Sequence, residues 1–293
     1  VSQPRCPLCG GPGRTRLTAR DRNHRITADV FRYAACERCA TLFLEDVPAD
    51  LGRFYPAAYY AGDGDESRSP TEQAKLAIVR RHRPDGRLVE IGPGRGGFAR
   101  AAADAGYAVT GVEMDAGACR HLREDLGLEV VHSDDPAAAL AGLGPVAVVA
   151  LWHVIEHLRD PGATLEAAAR ALEPGGVLVV ATPNPAALQL RLLGARWVHL
   201  DAPRHLALMP SQALAERLAP HGLELAELTE ADRTGRDWNA FGWQHVLRPG
   251  TAAPVRPLTA KAGAALALAA APLERRDGHG TTYTAVFRDT RAA

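Results

Sequence analysis

The 293-residue sequence contains only two lysines, Lys75 and Lys261, two methionines and 5% aromatic residues. Arginine carries nearly all its positive charge, and 34 basic side chains balance 34 acidic ones. A chain of zero net charge lacks the uniform basic field of a general polyanion binder, although this says nothing of local patches. Long apolar runs are missing too. The longest, Ala262 to Leu273, holds about a dozen residues, against the about 20 needed to span a bilayer. The opening Val-Ser-Gln-Pro-Arg begins no apolar secretory core, so the expectation is a cytoplasmic protein with no membrane partner. At 46% hydrophobic and 23% charged, the chain has ample material for a packed core.

What is present starts with cysteine. Four of the five cysteines fall in the first 39 residues, as Cys6-Pro7-Leu8-Cys9 and Cys36-Glu37-Arg38-Cys39. Two C-x-x-C knuckles at this spacing can close a tetrahedron of thiolates around Zn²⁺. All four positions are cysteine, leaving no corner for a water, so the expected metal is structural. Disulfides or a redox pair are the alternatives, and a reducing compartment disfavours the first. Ala40 stands where many zinc ribbons carry glycine. The alternation over Arg25 to Tyr33 predicts a strand between the knuckles. Residues 1–40 hold eight arginines against three acidic residues, so the ribbon is locally basic and a grip on RNA stays open. Cys119 reads as a buried, inert thiol.

From Arg87 the chain alternates strand and helix. Strands are expected at 87–91, 107–113, 128–132, 146–151 and 177–181, and helices at 98–105, 116–126 and from Asp160-Pro161 to Leu172. Further strands are expected at 222–228 and 281–287, an Ala-rich helix at 259–272, and a helix at 70–82 capped by Ser69-Pro70. This rhythm predicts a doubly wound α/β sheet. The resulting division is a zinc ribbon over 1–47, a Tyr-rich strap and helix over 48–82, and a ligand-binding domain over 83–293. That domain carries acceptor-facing insertions at 183–221 and 231–280.

The run Val89-Glu90-Ile91-Gly92-Pro93-Gly94-Arg95-Gly96-Gly97 lies at the carboxyl end of the first strand of this series, where open sheets bind ligands. Gly92, Gly94 and Gly97 satisfy the dinucleotide fingerprint G-x-G-x-x-G, whereas Gly92, Gly94 and Gly96 satisfy E-x-G-x-G-x-G, the turn of S-adenosylmethionine (SAM) enzymes. The carboxylate of Glu90 complements a sulfonium cation and would repel a pyrophosphate, which favours the second. Val112-Glu113-Met114-Asp115, His153-Val154-Ile155-Glu156-His157-Leu158-Arg159-Asp160-Pro161, Leu172-Glu173-Pro174-Gly175-Gly176, Ala181-Thr182-Pro183-Asn184 and Pro203-Arg204-His205-Leu206 extend the pattern. With these motifs the sequence resembles class I SAM-dependent methyltransferases of the bacterial group that includes quinone-biosynthesis and sugar-modifying members. That resemblance implies a Rossmann-like sheet of seven strands with the last antiparallel. It also implies that Gly92, Gly94 and Gly96 line the methionine end of SAM, with Glu90 counted among the cofactor-binding residues for its charge. Glu113 would take the ribose hydroxyls, Met114 would lie along the adenine, Asp134 would contact its amine, and Trp152 and His153 would face the sulfonium.

The His153–His157 run also matches the zinc-protease pattern H-x-x-E-H, but it follows directly on an apolar strand and not within a helix. Glu156 and His157 can be read as touching a divalent ion, or as packing a helix start. Methyl transfer to a hydroxyl requires alignment and removal of a proton, a task suited to histidine. His205 is the first candidate base and His153 the second. Arg204 with His205, and Tyr59 with Tyr60 of the strap, are candidates for holding the acceptor. A small molecule, plausibly a sugar or hydroxylated metabolite, is the expected partner, by O- or C-methylation. An RNA methyltransferase, an NAD-dependent oxidoreductase and a non-catalytic SAM-binding module are the rivals.

Overall fold

The computed structural model describes residues 3–55, 67–230, 233–247, 257–276 and 278–291. Its N-terminal part contains β1 (Gly13–Arg20), β2 (Val30–Cys36) and β3 (Leu42–Leu44). The expected strand over Arg25–Tyr33 is therefore displaced. Its first residues form a loop because the Asp21 carboxylate accepts the backbone N–H of His24 at 3.2 Å and of Ile26 at 2.8 Å. Arg25 adopts φ +56°, which no strand allows. Strand β1, whose arginines point outward, was not anticipated.

Helix α1 (Pro70–His82) leads into the large sheet, and its Ser69 hydroxyl accepts from the Glu72 N–H as predicted. Then come β4 (Arg87–Ile91), α2 (Gly97–Asp104), β5 (Ala108–Glu113), α3 (Ala116–Glu124), β6 (Glu129–His132), α4 (Pro136–Leu143), β7 (Val146–Trp152), α5 (Pro161–Ala171) and β8 (Leu172–Pro183). Asp115, Asp135 and Asp160 cap α3, α4 and α5 by accepting the N–H three residues on. The chain continues through α6 (Leu188–Leu193), β9 (Ala207–Leu208), α7 (Ser211–Leu218), β10 (Leu223–Thr229), α8 (Arg233–Val246), α9 (Pro257–Glu274) and β11 (Thr282–Asp289).

Seven strands pair in the order β10-β11-β8-β7-β4-β5-β6, with β11 antiparallel to both neighbours and β4 to β8 mutually parallel. This is the expected class I topology. Strand β7 is buried along its whole length because helices cover both faces of a parallel sheet. A second sheet has the order β1-β2-β3-β9, so an insertion strand completes the ribbon. Cys6, Leu8, Cys36 and Phe43 share one apolar cluster with Leu165, Ala213 and Leu214 of α5 and α7. The ribbon thus packs into the body of the molecule. Among the described residues, no helix is long and apolar enough to cross a membrane.

Candidate active site

At the carboxyl ends of β4, β5 and β7 lies a cleft of about 540 Å³. Glu90, Gly92, Gly94, Glu113, Met114, Asp134, Trp152 and His153 all line it, so the structure brings together most of the residues expected around SAM. Gly94 has φ +54°, and a Cβ placed there would meet nothing within 4 Å, so this turn leaves room for a ligand against bare backbone. Glu90 is buried, and its Oε2 has no hydrogen-bond partner among the described residues. Burial pushes its carboxyl up to about 8. A buried carboxyl with one oxygen left unbonded fits a cationic ligand, whose charge would favour its ionised form.

Two expectations change at this cleft. Gly96 does not line it. A Cβ on Gly96, at φ +78°, would strike Leu122 and Leu126 at 2.5 and 2.6 Å, so this glycine serves the seating of α3, and Gly97 lines the cleft instead. Glu113 is already occupied in part: Oε2 accepts Gly94 N–H at 3.0 Å, and Oε1 accepts Met114 and Asp115 N–H at 2.8 and 2.9 Å. A carboxylate has about four acceptor positions, so one remains for a ribose hydroxyl while the Gly94 bond persists. Sequence reasoning missed Glu72 and Lys75, which reach the cleft from α1. They pair at 3.0 Å, and Lys75 Nζ lies 5.5 Å from the Trp152 ring centre.

A smaller chamber of about 310 Å³ adjoins the cleft, and His153, His157 and Trp238 line both. His153 is held at φ +57°, a strained value for a residue with a side chain. Its Nδ1 stands 3.6 Å from Glu156 Oε1, its ring meets Trp238 edge-on at 5.2 Å, and its buried Nε2 has no hydrogen-bond partner among the described residues. Glu156 is fully buried. Burial alone would raise its carboxyl, but the His153 contact and the charges of the surrounding histidines prevail and hold it at about 2. Burial pushes His157 down to about 4 and His199 down to about 3, so both imidazoles are neutral at neutral pH. From the ribbon come Asn23 and His24, and from α8 Trp238 and Phe241. Nothing in their sequence neighbourhoods marked these four, because only the folding of the ribbon and α8 over the sheet assembles them.

His205 reaches the chamber, with its Nδ1 2.8 Å from the His199 carbonyl. Arg204 does not, which corrects the expectation that it holds the acceptor. Its side chain has no exposure. The guanidinium donates to Asp21 Oδ1 at 2.9 Å, to Asp201 Oδ1 and Oδ2 at 2.7 and 2.8 Å, and to the Phe54 carbonyl at 3.1 Å. Four of its five N–H donors are engaged within the protein, and the buried group does not line the chamber. Tyr59 and Tyr60 lie outside the described residues. Tyr55, which is described, has its hydroxyl 2.9 Å from His157 Nδ1.

Cys6, Cys9, Cys36 and Cys39 converge with their sulfurs all within 4.8 Å of one another. Cys6 and Cys39 are 3.7 Å apart and Cys9 and Cys36 3.4 Å, and none forms a disulfide. Zn–S bonds of about 2.3 Å imply S···S distances of about 3.8 Å in a tetrahedron, so the cluster fits that metal. Ala40 adopts φ +58°, confirming why glycine would be at ease there.

A family model for a methyltransferase domain matches residues 68–228. Ubiquinone biosynthesis O-methyltransferases of Caulobacter sp. (strain K31) and Caulobacter vibrioides are each 34% identical over 176 residues, 52% of this chain and 69% of theirs. Among solved structures, the CcbJ methyltransferase from Streptomyces caelestis superposes with a TM-score of 0.52 at 19% identity, over 81% of this chain and 96% of that one, a likeness of fold. The matched family residues begin after the ribbon.

Proposed function

Because this chain belongs to the methyltransferase-domain family and is a SAM-dependent methyltransferase, we propose that it methylates an oxygen of a small hydroxylated acceptor held in the smaller chamber. The observation that carries this reading is the shared wall: His153 lines both the cleft and the chamber, with a buried Nε2 that has no hydrogen-bond partner among the described residues. The O-methyltransferase names of the Caulobacter relatives support oxygen as the target. A chamber of about 310 Å³ suits a sugar or a specialised metabolite of modest size.

When bound, SAM supplies a methyl group on a sulfonium, which leaves as a neutral thioether. The chain's own residues do the rest. Glu90 offers charge complementarity, Glu113 and the Gly94 turn hold the ribose side, and Trp152 closes the cleft beside Phe98, with ring centres 5.2 Å apart. His153 Nε2 takes the acceptor proton, and Glu156 favours the imidazolium that results. His153 replaces His205 as the first choice of base because it alone of the two lines both cavities. In the ribbon, the four cysteines would hold structural Zn²⁺ at the end of the β1–β2 hairpin where Gly13 pairs with Cys36.

Calorimetry with SAM and NAD, followed by radiolabelled methyl transfer to phenols, sugar nucleotides and bulk RNA, tests the reading. SAM binding with label on a small hydroxylated acceptor is expected. Label on RNA alone, or binding of NAD without SAM, would overturn it.

A further inference from the structure

His199 reaches the smaller chamber from a short 3-10 turn (Val198–Leu200) in the insertion between α6 and β9. The residue is buried. Its ring packs edge-on against Trp197 and Trp238, with centres 5.4 and 5.3 Å away, and Phe241 lies tilted at 5.8 Å. Three aromatic neighbours hold the plane of the imidazole, and its hydrogen bonds decide which nitrogen carries the proton.

His199 Nε2 lies 3.1 Å from the backbone carbonyl of Trp238. A carbonyl only accepts, so Nε2 is the protonated nitrogen and donates. Burial keeps the ring neutral at neutral pH, which leaves a lone pair on Nδ1. That nitrogen makes no hydrogen bond among the described residues. The carbonyl of His199 is engaged separately, by His205 Nδ1 at 2.8 Å. Other polar groups around the chamber are committed to the protein itself. Asn23 Nδ2 donates to the Val198 carbonyl at 2.9 Å and to Asp201, which also accepts from Arg204. His157 Nδ1 meets both the Tyr55 hydroxyl at 2.9 Å and the Arg204 carbonyl at 3.1 Å. An acceptor atom on a locked, buried ring costs free energy until a donor reaches it. His153 meets the same indole, edge-on at 5.2 Å, so a ligand resting against Trp238 in the chamber has both imidazoles beside it.

We propose that His199 is a specificity-determining residue whose Nδ1 accepts a hydrogen bond from a second hydroxyl of the acceptor, distinct from the hydroxyl that His153 deprotonates. The proposal rests on the methyltransferase reading. It narrows the acceptor to molecules with two hydroxyls, or with one hydroxyl and an N–H donor. The group at His199 keeps its proton, because a ring so deeply buried resists becoming an imidazolium, and only the hydroxyl at His153 reacts. A site built around such a bond rejects an analogue that lacks the donor, since the lone pair would be left unmet.

Glutamine and asparagine separate the two nitrogens. In His199→Gln the amide nitrogen can still donate to the Trp238 carbonyl, but no acceptor remains at the Nδ1 position. His199→Asn restores an acceptor there and loses the link to Trp238. The probes are phenol against the three dihydroxybenzenes, and methyl glucoside against its monodeoxy forms, with the full chain and SAM. For at least one pair, wild-type kcat/KM should be at least tenfold higher for the probe with the extra hydroxyl, mainly through KM. That ratio should fall to about threefold or less in His199→Gln and recover in part in His199→Asn, with SAM affinity unchanged in both. Nitrogen-15 spectra of the wild type, loaded with S-adenosylhomocysteine, need no variant: the unprotonated nitrogen of His199 should move upfield with the preferred probe and not with its partner. No such ratio for any pair, a ratio retained in folded His199→Gln, or an unmoved nitrogen would overturn the proposal. Failure of the wild type to bind SAM would instead strike the methyltransferase reading.

Discussion

Arg204 and Asp21 stand 183 residues apart in sequence and form an ion pair at 2.9 Å with no solvent exposure on either side chain. Asp201 completes the group from the other side. The clamp ties the ribbon's β1–β2 loop to the insertion that carries His199 and His205, so the chamber keeps its shape only while it holds. Removing Arg204 would strand two buried carboxylates. Arg204→Met is therefore expected to cost about 3–5 kcal/mol, read as a fall in urea midpoint, with Asp21→Asn milder.

The same clamp sets an acid limit. The hydrogen bonds from Arg204 outweigh burial and hold Asp201 at about 2, and Asp21 is lowered by the same guanidinium. A carboxyl lower in the folded than in the unfolded state adds stability above its unfolded value of about 4 and loses it as pH falls toward 2. Urea unfolding between pH 6 and 2 should show this loss below pH 4, and the loss should shrink in Asp201→Asn.

His153 offers a sharper functional test. Asparagine tolerates its left-handed backbone, so His153→Asn removes the base with little strain. The expected result is a fall in kcat of about 10²–10⁴ with SAM affinity unchanged. A parallel loss of SAM affinity would show that the side chain serves the cofactor instead of the acceptor.

Glu90 makes cofactor binding pH-dependent. Burial raises its carboxyl to about 8, so it is largely protonated at neutral pH, and a cation in the cleft favours its ionised form. Binding then releases a proton, and SAM affinity should tighten by up to about tenfold per pH unit between pH 6 and 8, levelling above. Calorimetry in buffers of different ionisation enthalpy checks the proton release, and Glu90→Gln should flatten the profile.

Most of the large sheet could be read directly because its signals are local. Capping residues mark α1 and α5, and the fully apolar β7 announces a central parallel strand. The glycine turn and Glu113 placed the cofactor cleft for the same reason. The acceptor side resisted, since its walls come from four distant segments. Asn23 and His24, His199 and His205, Glu156 and His157, and Trp238 carry no common spacing. Arg204 misled for a related reason: an arginine beside a candidate histidine reads alike whether it meets a ligand or a buried aspartate. Asp21, the deciding partner, lies in the ribbon.

The cysteine cluster connects that distant wall to the chemistry. Strand β3 pairs with β9 through Leu42–Leu208 and Phe43–Ala207, and Tyr33 holds the His205 carbonyl, so the ribbon braces the chamber directly. Among the described residues, none of the ribbon lines the cofactor cleft. Stripping the ribbon's metal with a strong chelator, or substituting Cys39→Ser, should therefore separate the two functions. Thermal stability and methyl transfer should both fall, while SAM affinity by calorimetry stays within about twofold. Restoring Zn²⁺ to the chelated wild type should recover transfer, and Cys39→Ser, which lacks one of the four thiolates, should recover far less.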